Sequence, residues 1–386
     1  MRILVVSDIT GFMRGGVPVE TVRLIRGLRA RGHQLAFMGD IPIAGTEPVE
    51  HFPLSLPVDR SLSLRLREVV NAFKPDLVHV MAMSSRGIVR IAPLLRSVPW
   101  VFTCHSVPPY ERKLDYLHWN DTAHYAARSL RFAANSCTWK WLFRKGFISH
   151  AVVHSHRLEG IIRRYGQPMN RVSVIPLGYE AVENVNCSSH VATPGRPLRL
   201  LTIGGIAHTK GYHDALIALA ALRRVFPKVE YNIIGEMRDP SYARFLEAMI
   251  RKLEFGGSVR IFLNASDAER DEAMRRSDVY LQPSHEEGFC LAYIEAASIV
   301  PLLVGTDTGA IRLISANDVG ARVVPVGRPS RIADAVRELS AISLPEDLLL
   351  QRQARLASMF SWSKYLDTHE ALYIRLRQGD QASGSP

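Results

Sequence analysis

The stretch Pro283-Ser-His-Glu-Glu287-Gly-Phe-Cys-Leu-Ala-Tyr-Ile-Glu295 places two carboxylates with seven residues between them, around a glycine and a short apolar run. Read as strand, loop and helix start, it sets the amides of Phe289, Cys290 and Leu291 at a helix amino terminus. There the unpaired N–H groups and the helix dipole favour an anion. Glu287 stands at the mouth of this turn and Glu295 two turns inside, and carboxylates so placed suit sugar and ribose hydroxyls, which need acceptors. Glu295 lies among apolar residues, so it is expected to be buried and to require a partner. A second element, Gly204-Gly205-Ile-Ala-His-Thr-Lys210-Gly211, is a glycine loop after a strand. Such a loop lets backbone approach a phosphate, and Lys210 adds a point charge suited to a diphosphate. Taken alone, this loop could equally be an ordinary turn from strand to helix.

His105 follows the strand-like Val101-Phe-Thr-Cys, at the carboxyl end of a parallel strand, where α/β sheets bind ligands. His79 and His154 read more simply as structural. None of the 14 histidines forms a pair with zinc spacing, and Cys104, Cys137, Cys187 and Cys290 are too far apart for a C-x-x-C pair. No metal is therefore expected. From Arg128 to Phe147, cations (Arg128, Arg131, Lys140, Arg144, Lys145) alternate with large apolar residues (Phe132, Trp139, Trp141, Leu142, Phe143). That mixture suits an anionic membrane surface. The competing arrangement is a core helix with Trp139 and Trp141 turned inward.

Two series of elements position these groups. Strands are predicted at Ile3–Val6, Gln34–Met38, Leu77–Val80, Trp100–Thr103, Ala151–Val153 and Val172–Ile175, the first two separated by a helix carrying Val19, Val22, Ile25 and Leu28. After the polar stretch from Glu183 to Pro197, a second series runs through Leu198–Ile203, a helix from Tyr212 to Val225, Glu230–Ile234, Val259–Leu263, Val279–Leu281, Leu302–Val304 and Ala321–Val324. The strand-helix alternation implies α/β domains with parallel sheets. The expected organisation is a domain over 1–182, a linker over 183–197, a domain over 198–361, a helix over 362–377 returning toward the first domain, and a loose tail over 378–386.

A chain of 386 residues is long enough for two or three domains, and 47% hydrophobic against 22% charged residues excludes wholesale disorder. The 48 basic and 37 acidic side chains leave a net charge of +11, which favours polyanionic surfaces or phosphorylated ligands. No nucleic-acid-binding motif accompanies that charge, so a nucleic-acid partner is not expected. No apolar run approaches the length of a spanning helix, and the expected location is the cytoplasm, with peripheral attachment to the inner membrane face.

The run from Glu287 to Glu295 resembles the E-x7-E motif of retaining GT-B glycosyltransferases of family 4, usually E-G-F-G-x-x-x-x-E-A. The resemblance extends through Gly15-Gly16, Arg31-Gly32-His33, Pro75-Asp76-Leu-Val-His79, Thr103-Cys-His105, Val174-Ile-Pro-Leu-Gly178, Lys210-Gly211 and Phe360-Ser-Trp362. It implies two Rossmann-like domains facing across a cleft. The carboxyl-terminal domain would hold a nucleotide-diphosphate sugar and the amino-terminal domain an acceptor, with no cofactor beyond the donor and no metal. Carried over, Lys210 contacts the diphosphate, Glu295 the ribose and Glu287 the donor sugar, while Phe289, Cys290 and Leu291 support phosphate and sugar oxygens. Gly204 and Gly205 belong to the nucleotide loop, Gly16 lets the first loop approach the diphosphate, and His105 lines the sugar pocket. The acceptor could be a lipid-linked cell-surface glycan.

The chain departs from the family pattern G-R-x-x-x-x-K-G at Gly205, where the arginine is missing, and at Cys290, Ala310 and Leu313. Arg312 is one candidate for the absent charge, although its position suits solvent. The departure at Gly205 keeps open a non-catalytic sugar-nucleotide scaffold, and the architecture alone also fits an epimerase or phosphorylase.

Overall fold

The computed structural model describes residues 1–8, 16–40, 49–54, 61–105, 134–180 and 196–382. They form two units, Met1–Gly178 with Trp362–Pro386, and Tyr179–Ser361. The expected linker falls almost wholly outside the described residues.

The first unit is built on seven parallel strands in the order β3-β2-β1-β4-β5-β6-β7. They are β1 (Arg2–Ser7), β2 (Gln34–Gly39), β3 (Glu50–Pro53), β4 (Leu77–Ala82), β5 (Trp100–Thr103), β6 (His150–Val153) and β7 (Val172–Val174). Their sequences are near-continuous Val, Ile and Leu runs because a parallel sheet is covered on both faces, and all six residues of β4 are buried. β3 was not anticipated: Glu-His-Phe-Pro is polar, as an edge strand can be, and pairs only with β2. The crossovers include α1 (Gly16–Ala30), α2 (Leu62–Phe73), α3 (Ser85–Ile91), α4 over 134–144 and α5 (His156–Arg164).

α4 settles the orientation of the basic-aromatic stretch within the described residues. Trp139, Leu142 and Phe143 join the core, and Trp139 stacks on Phe102 and Phe143. Trp141 alone of these is well exposed, at 43%, and lies 4.5 Å from Phe147. Two of the four aromatics proposed for membrane contact, Trp139 and Phe143, are therefore core residues, at the helical spacing that turns one face inward; residues 128–133, Phe132 among them, lie outside the described segments.

The closing helix, α13 (Trp362–Ala382), belongs to the first unit and continues through residues 378–382, so that stretch is helical instead of a loose tail. It packs on α1 through a close approach at Gly27, where an added Cβ would sit 2.3 Å from Leu366 Cδ1. Arg31 pairs with Asp367 at 2.5 Å and Glu370 at 3.0 Å along the same seam.

The second unit repeats the architecture with six parallel strands in the order β10-β9-β8-β11-β12-β13. They are β8 (Arg199–Ile203), β9 (Glu230–Gly235), β10 (Val259–Leu263), β11 (Val279–Gln282), β12 (Leu302–Thr306) and β13 (Ala321–Val324). Around them run α6 (Tyr212–Leu222), α7 (Pro240–Lys252), α8 (Asp267–Arg275), α9 (Leu291–Ala297), α10 (Ile311–Ile314), α11 (Pro329–Ser340) and α12 (Glu346–Met359). Strand order reverses between β8 and β11, which makes the carboxyl ends of those strands the switch point where open α/β sheets bind ligands.

Arg352 of α12, 4% exposed, secures the back of this unit: it donates to the carbonyls of Val300 and Pro301 at 2.9 Å and pairs with the buried Asp318. Removing one member of a buried pair strands the other charge. Arg352→Ala should therefore cost about 3 to 5 kcal/mol. Arg337→Ala, at an exposed pair with Asp334, should cost under about 0.5 kcal/mol; urea unfolding of both variants checks the contrast.

Candidate active site

Two loops leave the strands that flank the switch point of the second unit. One follows β8 and carries Gly204, Gly205 and Lys210; the other follows β11 and carries Pro283 to Glu287. They are seated on each other. His285 donates its amide to Thr209 O at 2.8 Å, and its Nε2 lies 2.6 Å from Asp214 Oδ2 in the first turn of α6. Gly211 has φ +64°, and an added Cβ would meet Pro283 O at 2.0 Å, so only glycine fits between the loops.

This seating brings Lys210 Nζ to 2.7 Å from Glu287 Oε1. The same oxygen accepts from Ser284 Oγ at 2.7 Å and Gln282 Nε2 at 3.1 Å. Glu287 is thereby fixed by three donors, with a side chain only 8% exposed. Burial works against the charge of Lys210, but Glu287 beside it prevails and raises its pKa above the ordinary lysine value. Gly204 is an ordinary contact for the Lys210 stem, and its carbonyl accepts from Tyr212 OH at 2.6 Å.

The space beside Gly205 is taken. A Cβ there would lie 2.8 Å from Arg238 Cγ and 3.0 Å from Arg238 Nε. Arg238 follows β9, pairs with Glu236 at 2.9 Å and is close enough for its charge to bear on Lys210. A guanidinium from the loop after β9 therefore lies beside the position where the family pattern has its own arginine. Nothing local in the sequence marks Arg238, because the pairing of β8 with β9 creates the proximity. Arg312 is 70% exposed and paired with Asp307 at 2.7 Å, as its surface position suggested.

Phe289 and Cys290 are buried, and Leu291 opens α9. Cys290 is the residue before the helix and has φ 87°, a left-handed conformation that glycine adopts without strain. That geometry explains why glycine is usual at this position. Burial, with Glu287 nearby, pushes the Cys290 thiol well up, so it stays neutral and is no nucleophile. Ala310 is buried, and its amide donates to Phe289 O at 3.0 Å.

Glu295 differs from expectation. Its side chain is 37% exposed and it pairs with Arg270 of α8 at 3.0 Å, so it has both solvent and a partner. Partial burial raises its pKa, with Arg270 acting in opposition.

In the first unit Gly16 begins α1, and the loop before it lies outside the described residues. His105 does not present a free nitrogen: Nε2 lies 2.7 Å from Met81 O, and Nδ1 lies 3.3 Å from Glu20 Oε2.

Two parallel α/β units, the second with a cation and a carboxylate locked together at its switch point, are the architecture of the GT-B class. Sequence comparison agrees: residues 14–182 match Glycosyltransferase Family 4, and residues 189–355 match Glycosyl transferases group 1. The chain belongs to this family and is a glycosyltransferase. It is 24% identical to the glycogen synthase of Mycobacterium tuberculosis over 99% of this chain and 96% of that protein. It is 30% identical to the phosphatidyl-myo-inositol mannosyltransferase of Mycolicibacterium smegmatis over 46% of this chain and 50% of that one. Among solved structures, a Rickettsia africae glycosyltransferase superposes with TM-score 0.74 at 17% identity, covering 97% of this chain and 98% of that one. Anabaena HepE in complex with UDP and glucose gives 0.69 at 17%, covering 96% and 99%.

Two substitutions probe the backbone of the site. Cys290→Gly relieves the strained φ while losing a small buried side chain, and should change stability by less than about 1 kcal/mol. Cys290→Val places a β-branched residue there and should cost about 2 kcal/mol or more, read by urea unfolding.

Proposed function

We propose that this chain is a retaining glycosyltransferase that moves a sugar from a nucleotide diphosphate to an acceptor hydroxyl, with the donor held by the second unit. The observation that carries this reading is the Lys210–Glu287 pair at the switch point with Arg238 laid over Gly205. In this reading Lys210 and Arg238 face the diphosphate, exchanging part of their present pairing with Glu287 and Glu236 for phosphate oxygens. Such charge-assisted contacts strengthen as charge grows on the leaving group. The first amides of α9, from Phe289 to Leu291, add donors on the same side. Glu287, its Oε1 fixed by three donors, offers Oε2 to a sugar hydroxyl, and Glu295 accepts from the ribose.

The bond from the anomeric carbon to the diphosphate oxygen breaks, and the acceptor oxygen forms the new bond on the same face. The acceptor proton passes to the departing diphosphate, so no protein base is needed and the anomeric configuration is kept. Nothing in this scheme calls on a metal. The supplied guanidinium at Arg238 favours catalysis over a silent scaffold, because the charge lost at Gly205 is restored.

The relatives that act on phosphatidyl-myo-inositol support a polyol or glycan acceptor carried on a lipid, and the net charge of +11 suits an anionic surface. With Trp139 and Phe143 in the core, that attraction would rest on the cations Lys140, Arg144 and Lys145 with Trp141.

A screen of UDP-, GDP-, ADP- and TDP-sugars by thermal shift identifies the donor, and an NMR spectrum of the product fixes the anomer; inversion would overturn the mechanism. With the donor in hand, Lys210→Ala and Arg238→Ala should each lower kcat more than they raise KM. The expected loss for each is about 10-fold to 100-fold. Glu295→Ala should weaken nucleotide binding by about 1.5 to 3 kcal/mol. Wild-type kinetics in all three variants would remove the site assignment.

A further inference from the structure

The first unit contains a second concentration of ionisable groups, independent of the donor site. Glu20 on α1 is fully buried, and its Oε2 lies 3.3 Å from His105 Nδ1 and 3.3 Å from His154 Nε2. His105 and His154 stand at the carboxyl ends of β5 and β6. The three donor atoms all lie within 4.8 Å of one another.

The hydrogen-bond partners fix which ring nitrogens carry hydrogen. A backbone carbonyl can only accept, so His105 Nε2, 2.7 Å from Met81 O, and His154 Nδ1, 2.9 Å from Ile175 O, are the protonated atoms of the neutral rings. In its neutral form each ring turns a bare lone pair toward the same carboxylate oxygen, although, against the effect of burial, that carboxylate raises the pKa of His154 and favours its protonated form. Glu20 Oε2 and His154 Nε2 are both buried without a hydrogen-bond partner among the described residues. A proton could bridge one of the two nitrogen–oxygen edges, leaving lone pair against lone pair at the other. A cation seated between the three atoms satisfies both.

We propose that Glu20, His105 and His154 form a binding site for a divalent transition metal of the zinc type. The two nitrogen–oxygen separations of 3.3 Å match a tetrahedral ion, whose ligand bonds of about 2.0 to 2.2 Å place neighbouring donors about 3.3 to 3.6 Å apart. Two imidazoles and a carboxylate are a donor set suited to zinc. The outer contacts are those that orient metal ligands, since each histidine donates its other N–H to a carbonyl and Tyr365 OH donates to Glu20 Oε1 at 2.5 Å. The fourth position falls to water. The ion would fasten α1 to the ends of β5 and β6, a structural role within the first unit and not a step in sugar transfer.

The test uses the full purified chain and zinc alone. After incubation with zinc and dialysis, elemental analysis should find one zinc per chain. Zinc at about a hundredfold over its dissociation constant should raise the Tm by about 5 °C or more. Cobalt in its place should give the visible absorption of a four-coordinate site. Glu20→Gln and His154→Ala should lose the metal and the spectrum, whereas His156→Ala, at an exposed histidine on the next helix, should keep both. Should the two ligand variants fail to fold, the wild-type chain decides alone. Folded wild-type protein that retains no zinc and shows no Tm shift overturns the site, as does zinc retained equally by a folded Glu20→Gln variant. Neither result touches the glycosyltransferase reading, since donor binding is measured separately.

Discussion

The ion pair between Lys210 and Glu287 ties together the loops that leave the two central strands of the second unit. Two charges taken from water need each other, and the pair persists because Ser284 and Gln282 share the load on the carboxylate. That requirement fixes the loop after β11 against the loop after β8. It also explains why Gly211 must be glycine and why His285 is anchored to Asp214. The arrangement leaves the Lys210 ammonium and the Glu287 carboxylate little side-chain freedom to lose.

Both units use the same end of a parallel sheet, and they use it differently. In the second, the carboxyl ends of the central strands open into loops with cations and a short helix, where solvent reaches Lys210. In the first, Glu20 of α1 reaches His105 and His154 at the ends of β5 and β6, and Tyr365 of α13 reaches Glu20, so the polar groups gathered there face one another. The architecture concentrates polar side chains at strand ends, and the covering helix determines whether they meet a ligand or one another.

Much of this was legible in the sequence, where physics acts locally. The buried strands announce themselves as apolar runs, and the loop from Pro283 to Glu287 is placed by strand, glycine and helix start. Edge strand β3 escaped notice because Glu-His-Phe-Pro carries no apolar run. Glu295 looked buried from its neighbours in sequence, yet a short helix exposes the residue and lets Arg270 reach it from α8. Trp139 and Trp141 read alike in a list but differ by the angle of a helix, which turns one into the core and leaves the other at the surface. Glu20, His105 and His154 carry no spacing signature, since their meeting depends on a helix and two strands coming together at one end of the sheet.

Arg238 occupying the side-chain space of residue 205 has a consequence for the engineering of this site. The two positions amount to one choice made twice over. Restoring the family arginine at Gly205 by itself would set its Cβ against the stem of Arg238, and that half-exposed side chain would have to move aside. Removing Arg238 by itself leaves the loop one charge short. The side-chain space at residue 205 and the placement of Arg238 are thus coupled, and a substitution at either position is felt at the other.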